Sequence, residues 1–317
     1  MMQKQTRVLD LFSGMGGFSY GFAKAGFDVT GVDMSEHAGM TYKKIVSNKF
    51  HSVDLRENDV QGDFDIVIGG PPCRPWSSVN LSKRGKDHRD FVLLGRYVDH
   101  VLSIKPEIFI LENVPLLRSD LEFHSQISRL EGAGYSVSSD IFRYSDYGAH
   151  SSRRRLFAFG FRNGSAKRFV RGLQLITTKS RTVEDAIGSL RNIEMGEQPD
   201  HVWPELKTIK KYVRYYENGK FGWTVLKWNV PAPSFGNVMK TYTLHPDSDP
   251  RGSSPRVVSV LEVSRIMGFN HDFKFPDGIG MGHRYQMLVD SVNPIFSEKL
   301  ANYVKDYLTL DTGITIG

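Results

Sequence analysis

Between residues 7 and 161, short apolar runs alternate with longer amphipathic stretches, and this alternation constrains the fold more than any other feature of the chain. Arg7–Phe12 (RVLDLF) ends in Ser13-Gly14-Met15-Gly16-Gly17, and a helical stretch follows to Ala25 and stops at Gly26. Asp28–Val32 reads as the next strand, closing on Asp33, with a helix from about Ser35 to Asn48. Phe64–Ile68 (FDIVI) leads into Gly69-Gly70-Pro71-Pro72. A helix near Phe91–Ser103, a strand Glu107–Leu111 (EIFIL) and a helix near Asp120–Ala133 come next. Strand-like Ser136–Phe142 and Arg155–Phe161 complete the series. Such a β-α-β rhythm predicts an α/β fold built on a doubly wound, mainly parallel sheet.

After about Arg162 the rhythm breaks. Residues 163–230 are basic and hold three of the four tryptophans, Trp203, Trp223 and Trp228. A proline-rich stretch from Pro231 to Pro255 then leads to helix-like Val260–Met267 and Ser297–Tyr307. The expected organisation is a larger α/β domain over 1–162, a smaller domain over 163–255, and a C-terminal segment over 256–317 whose final helix packs back on the first domain.

Charge is unevenly placed. The chain carries 41 Lys+Arg against 35 Asp+Glu, a net +6, yet residues 150–230 alone hold 16 against 7. A basic segment in an otherwise slightly acidic body suggests a surface that faces a polyanion, although a solvated basic face would look the same. With 40% hydrophobic and 24% charged residues, the composition excludes a disordered or fibrous chain. No apolar run approaches the roughly eighteen residues of a membrane span. The opening MMQKQTRVLD has no apolar core or cleavage site, so no signal peptide is expected. A single cysteine rules out an intramolecular disulfide and a cysteine-based metal site. No metal is expected, and a reducing cytoplasm fits.

Four strand-end elements carry chemistry. In Asp10–Gly17 the glycines let backbone approach a ligand, and the following helix offers free N–H groups. Asp33, at the end of the next strand, stands where nucleoside-binding sheets place a ribose ligand, although a Gly-rich turn and a strand-end Asp are also common punctuation of α/β chains. G-x-G-G lacks the third glycine of the dinucleotide fingerprint, which favours an adenosine compound without a pyrophosphate. The lone thiol, Cys73, follows a strand end within GGPPCRPWS. A lone cysteine is often a small buried apolar residue, but two prolines and a polar loop argue against burial, and a thiol in such a loop can be activated by nearby cations. Glu112 leaves an apolar strand in Glu112-Asn113-Val114, suited either to acid–base work or to capping a helix. In Arg153-Arg154-Arg155, strand alternation puts Arg153 and Arg155 on one face, where two guanidiniums suit a phosphate or a base edge, or form plain surface charge.

Taken together and in this order, the elements resemble those of the DNA cytosine-5 methyltransferases of bacterial and phage restriction–modification systems, over nearly the full chain. DLFSGMGGFSYGF looks like that family's S-adenosylmethionine loop, GGPPCRPWS like its nucleophile loop, ENV like its Glu-Asn-Val element, and the arginines after Tyr147-Gly148 like its R-x-R. Arg256–Glu262 to Gly268-Phe269 is similar to the family's R-x-L-T-x-R-E…GF block, and Ser291–Leu300 to its closing helix.

The resemblance implies a Rossmann-like methyltransferase with a small target-recognition domain in 163–255. It implies that Cys73 is the nucleophile toward carbon 6 of a flipped-out cytosine, that Glu112 is the acid or stabiliser at the ring nitrogen and amino group, and that Arg153 and Arg155 hold the base carbonyl and the loop. For S-adenosylmethionine, converted to S-adenosylhomocysteine, it implies Asp10, Phe12, Ser13, Gly14, Gly16 and Gly17 at the methionine and ribose end. Asp33 is implied at the ribose hydroxyls and Met34 at adenine. Asp54 and Leu55 are implied beside the adenine amino group, with Pro72, Val92 and Ser291 flanking. Arg74, Trp76, Ser77 and Ser78 would contact DNA, and so would Lys207, Lys210, Lys211, Arg214 and Lys220. Double-stranded DNA is the implied partner, a cognate restriction endonuclease a candidate one, and a monomer the expected state.

Three departures stand out. Arg74 replaces the family's Gln after the cysteine, Ser151 replaces the Gln two before the first arginine, and Asp290 replaces Asn in Val289-Asp290-Ser291-Val292. None removes a reacting group. Rival readings are a tRNA cytosine methyltransferase of similar architecture and a catalytically silent DNA-binding regulator.

Overall fold

A computed structural model describes residues 5–72 and 88–312. In chain order its regular elements begin β1 (Arg7–Leu11), α1 (Gly17–Lys24), β2 (Asp28–Asp33), α2 (Glu36–Ile45), β3 (Phe50–Ser52) and β4 (Ile66–Gly69). Next come α3 (Leu93–Ile104), β5 (Ile108–Asn113), α4 (Leu121–Gly132), β6 (Ser136–Arg143) and β7 (Arg154–Phe161). The remaining helices are α5 (Ala166–Leu175), α6 (Val183–Ile187), α7 (Val213–Glu217), α8 (Val260–Ile266), α9 (Met281–Asp290) and α10 (Pro294–Thr312).

The strands form one seven-stranded sheet in the order β3-β2-β1-β4-β5-β7-β6. β1 pairs in parallel with β2 and β4, and β4 in parallel with β5. β7 runs antiparallel to β5, with Glu112 opposite Phe157 and Asn113 opposite Leu156. The order reverses between β1 and β4, so the loops leaving these two strands diverge and open a crevice at their C-terminal ends. This is the doubly wound, mainly parallel sheet expected from the sequence, with one reversed strand.

Burial explains the elements. β4 and β5 are buried along their whole length, as befits central strands covered on both faces. One side of the sheet packs Leu9, Leu11, Val67, Phe109 and Leu111 against Leu94, Tyr97, Val101, Phe123 and Leu130 of α3 and α4. The other side is aromatic. Phe157 and Phe159 stack at 6.2 Å, Phe18 meets Phe157 edge-on, and Phe169 of α5 packs on Phe159, Phe161, Tyr303 and Tyr307. Ser297 Oγ donates to the Phe18 carbonyl at 2.5 Å, which fastens α10 to α1.

Two compact units result. The first comprises residues 1–142, 154–177 and 297–317, and the second residues 143–153 and 178–296. The second unit is sparse in regular structure and relies on side-chain clamps. Arg256 grips Glu262 with two 2.9 Å hydrogen bonds while stacking on Trp203, and Ser259 and Glu262 form a capping box at the start of α8. Tyr212, Tyr215 and Tyr242 surround Trp223.

Several element boundaries differ from the sequence reading. The strand expected at Phe64–Ile68 is Ile66–Gly69; Asp65, just before it, accepts the Arg7 N–H through its side chain. α10 starts at Pro294, a favourable first-turn position, rather than at Ser297. β3 carries two exposed residues out of three and so leaves no apolar run to find. α5 lies in the stretch read as lacking α/β character, because its charged face dominates the composition.

Candidate active site

Parallel strands deliver the residues that follow them to one edge. At that edge of β1 the chain makes a tight glycine loop. Phe12 adopts φ 58°, a left-handed conformation that costs free energy for a residue with a Cβ, and Gly14 and Gly16 adopt φ 52° and 94°. A Cβ on Gly16 would also strike Val46 and Tyr42 at 2.7 and 2.8 Å. Asp33 holds the loop: its Oδ2 accepts from Gly14 N and its Oδ1 from Ser35 N, both at 2.9 Å. No side chain caps the N-terminus of α1, and the buried Ser13 Oγ has no hydrogen-bond partner among the described residues. Met34 and Val92 are 56% and 55% exposed, unusual for apolar side chains beside a sheet edge. A carboxylate, free helix-start N–H groups, an orphaned hydroxyl and two bare apolar faces fit a nucleoside-bearing ligand.

The supporting residues behave differently. Asp10 points into the interior, where it accepts from Ser19 Oγ at 2.6 Å while Tyr42 donates to Ser19 Oγ at 3.0 Å. Burial pushes its carboxyl up to about 7. Asp54 is gripped by Arg56 through Nε and Nη2, and these hydrogen bonds hold its carboxyl below the ordinary value. The Leu55 side chain belongs to the core, and its carbonyl accepts from Arg96 Nε at 2.9 Å.

The chemistry gathers where β4, β5 and β7 meet. Arg155 Nε lies 3.0 Å from Glu112 Oε1, with both side chains largely shielded from solvent. Glu112 Oε2 lies directly over Gly70, so that a Cβ there would come within 2.9 Å of it. Asn113 Nδ2 donates to the Pro71 carbonyl at 3.0 Å, and its Oδ1 accepts from Val114 N at 2.8 Å. Asn113 therefore ties down Pro71, two residues before Cys73, a role that reading the sequence missed. Its only signal was its place in Glu-Asn-Val. β7 brings its first residues to this edge because it is antiparallel; a parallel strand would have left Arg155 at the opposite end.

Cys73, Arg74, Trp76, Ser77 and Ser78 lie outside the described residues. Arg153 and Ser291 belong to the second unit. Arg153 is buried, its N–H donating to Ser151 Oγ and its carbonyl accepting from Tyr144 N, while Ser291 Oγ donates to the Met287 carbonyl. Lys207, Lys210, Lys211, Arg214 and Lys220 are all exposed and form no ion pair among the described residues, and Lys220 Nζ sits 3.8 Å from the centre of the Tyr215 ring. No helix among the described residues is long and apolar enough to cross a membrane.

Solved structures share this architecture. The methyltransferase EhMeth of Entamoeba histolytica superposes with a TM-score of 0.69 at 19% identity, covering 96% of this chain and 99% of that one. The Dnmt2 methyltransferase of S. pombe gives a TM-score of 0.69 at 16% identity, with 96% and 99% covered. At these identities the likeness speaks for the fold alone. The sequence goes further. The family of C-5 cytosine-specific DNA methylases matches residues 6–306, and the chain belongs to that family. Among its relatives, the type II methyltransferase M.MthTI of Methanothermobacter thermautotrophicus is 31% identical over 332 residues, covering 94% of this chain and 96% of the relative. The type II methyltransferase M.HgiDI of Herpetosiphon aurantiacus is 29% identical over 301 residues, covering 91% and 90%. Membership makes this chain an S-adenosylmethionine-dependent cytosine-5 methyltransferase that acts on DNA, and it favours that reading over a tRNA enzyme or a silent regulator.

Proposed function

We propose that this chain methylates carbon 5 of a cytosine lifted out of a specific duplex sequence, through a covalent adduct at Cys73. The observation that carries the reading is the Glu112–Arg155 pair, set beside Gly70 and the Asn113-tethered Pro71 carbonyl at the open edge of the sheet.

An aromatic cytosine carbon is too weak a nucleophile to take a methyl group unaided. The Cys73 thiolate forms a bond to carbon 6, and the displaced ring electrons collect on carbon 5 and toward the ring nitrogen. Glu112 stabilises that nitrogen and the adjacent amino group, and Arg155 keeps its carboxylate oriented. Arg153 and Arg155 serve the base carbonyl and the loop. S-Adenosylmethionine, when bound, supplies the methyl group. Once carbon 5 is methylated, a base removes its proton and the bond from sulfur to carbon 6 breaks, which restores the ring and the thiolate. The base must leave the stack because these atoms are out of reach within a duplex.

For the cofactor, Phe12, Ser13, Gly14, Gly16 and Gly17 line the methionine and ribose end, and Asp33 takes the ribose hydroxyls. Met34, Asp54, Leu55, Pro72 and Val92 are assigned to adenine and its approach, and the family resemblance adds Ser291. Asp10 acts from beneath, through Ser19 and Tyr42. The exposed Lys207, Lys210, Lys211, Arg214 and Lys220 belong to the DNA-recognition region, with Arg74, Trp76, Ser77 and Ser78 on the loop after the nucleophile. We place the chain in a prokaryotic or phage-infected cytoplasm as a monomer, and the relatives named type II methyltransferases support a restriction endonuclease of the same site as its partner.

The decisive experiment uses the single thiol. Cys73→Ser should abolish methyl transfer while leaving S-adenosylmethionine affinity nearly intact, and wild-type protein should form a denaturant-stable adduct with DNA bearing 5-fluorocytosine at the target. Methylation of ordinary DNA without any adduct on the fluorinated duplex would reject the covalent route.

A further inference from the structure

The second unit contains a cleft of about 520 Å³ whose walls include His150, Lys179, Arg181, Asp185, Arg265 and His271, none of them given a catalytic, cofactor or DNA-contacting role above. Its charges do not balance. Three fixed cations face one carboxylate, and Asp185 is already engaged, its Oδ2 accepting from the Thr182 N–H at 2.7 Å and the Thr182 hydroxyl at 3.0 Å. Lys179 and Arg181 are exposed and make no ion pair among the described residues.

Arg265 is the telling residue. It is only 8% exposed, yet no carboxylate lies within ion-pair distance among the described residues. Its Nη1 donates to Ser189 Oγ at 3.0 Å and its Nε has no partner. The nearby Glu262 is not available, since both of its oxygens accept from Arg256. His150, also 8% exposed, keeps an unpartnered Nδ1. Burial, with Arg181 adding to it, pushes this imidazole down to about 4, so it stays neutral beside the cations. The charge of Glu262 reaches Arg265 but is already held by Arg256, so a buried guanidinium with no carboxylate bonded to it would gain from a bound anion.

We propose that this cleft binds a phosphate group. A tetrahedral oxyanion matches the diverging donors of two guanidiniums and an ammonium, and the volume exceeds that of the anion alone, leaving room for the rest of a phosphoester. Such a group has two sources, the backbone of a nucleic acid or a free phosphoester, and the two are separable.

The test follows the ring resonances of His150 and His271 by nuclear magnetic resonance in the full chain, at constant ionic strength. Inorganic phosphate replacing chloride should move both resonances saturably. The double variant Lys179→Ala/Arg181→Ala, which changes only exposed side chains, should need about tenfold more phosphate or worse. A duplex made only of A·T pairs, which offers no cytosine, should then be added. If it moves the same resonances and phosphate competes with it, the source is a nucleic-acid backbone; if phosphate alone moves them, the source is a free phosphoester. Resonances indifferent to both, or an unchanged response in the double variant, would overturn the proposal. Because neither probe contains the methylated base, a failure of methyl transfer would count against the function proposed above and leave this site untouched.

Discussion

Arg155 Nε and Glu112 Oε1 stand 3.0 Å apart at the end of two antiparallel neighbours, so the carboxylate proposed for the cytosine ring is held by the guanidinium proposed for its carbonyl. The two side chains act as one unit. Removing the carboxylate in Glu112→Gln should lower kcat by about 10²- to 10⁴-fold, the usual range for a positioned acid–base group. Arg155→Ala removes the guanidinium that holds this carboxylate and should lower kcat as well, whereas Arg155→Lys keeps the charge and should lose less. Losses from Glu112→Gln and Arg155→Ala that simply add in the double variant would separate the two residues.

Asp33 spends one oxygen on Gly14 and the other on Ser35. Asp33→Ala should loosen the loop and remove the ribose acceptor together, and Asp54→Ala should remove an acceptor near adenine. A lost charged hydrogen bond is worth about 1.5–3 kcal/mol, or roughly ten- to a hundredfold in affinity. Unchanged S-adenosylmethionine affinity by calorimetry in both variants would strip these residues of their assigned roles.

The five exposed cations of the proposed recognition region should divide under alanine substitution. Loss of a phosphate contact weakens binding to every sequence and lowers the salt slope by about one unit. Loss of a base contact costs about 1–3 kcal/mol on the target site alone. Should Lys207, Lys210, Lys211, Arg214 and Lys220 all leave both quantities unchanged, recognition would move to the loops of 229–255.

Asp10 gives stability a definite pH dependence. Burial raises its carboxyl from 3.8 to about 7, so between those values the folded chain retains a proton that the unfolded chain has lost. Its contribution is therefore complete below about pH 4 and declines as pH rises toward about 7. His150, pushed down to about 4, has the opposite sign: its contribution is present above the ordinary histidine value and is lost as pH falls. Comparing variants isolates Asp10. Asp10→Asn is permanently neutral and still offers an oxygen to Ser19, so its stability relative to wild type should climb from pH 4 to 7 and then level off. Denaturant melts showing a constant difference across that range would contradict the assignment.

Much of the fold was legible because it is written locally. Arg7–Leu11, Ile108–Asn113 and Arg154–Phe161 are apolar runs whose period and punctuation name them as strands, and Ser35 and Asp120 stand as visible caps before their helices. β3 left no trace because its pairing is with backbone and two of its side chains face solvent. The individual site residues were likewise legible, as strand-end glycines, a lone thiol and a carboxylate after an apolar run. Their partnerships were not. Nothing in the pattern around Arg155 says that its strand runs backwards, so its meeting with Glu112 could not be read, nor could the hold of Asn113 on Pro71. Asp54 looked like a free acceptor because its partner, Arg56, is an ordinary-looking charge two residues away.

The reversed strand also sets which changes of length the chain can absorb. Arg155 reaches Glu112 only while Phe157 faces Glu112 and Leu156 faces Asn113. Inserting or deleting one residue between Leu156 and Phe161 would displace the arginine by about 3.3 Å and turn it to the other side of the sheet. Insertions in the surface turns before β6 carry no such penalty. The eight residues of β7 thus work as a ruler whose zero mark is the arginine, and variation in this part of the chain should be tolerated in sequence long before it is tolerated in count.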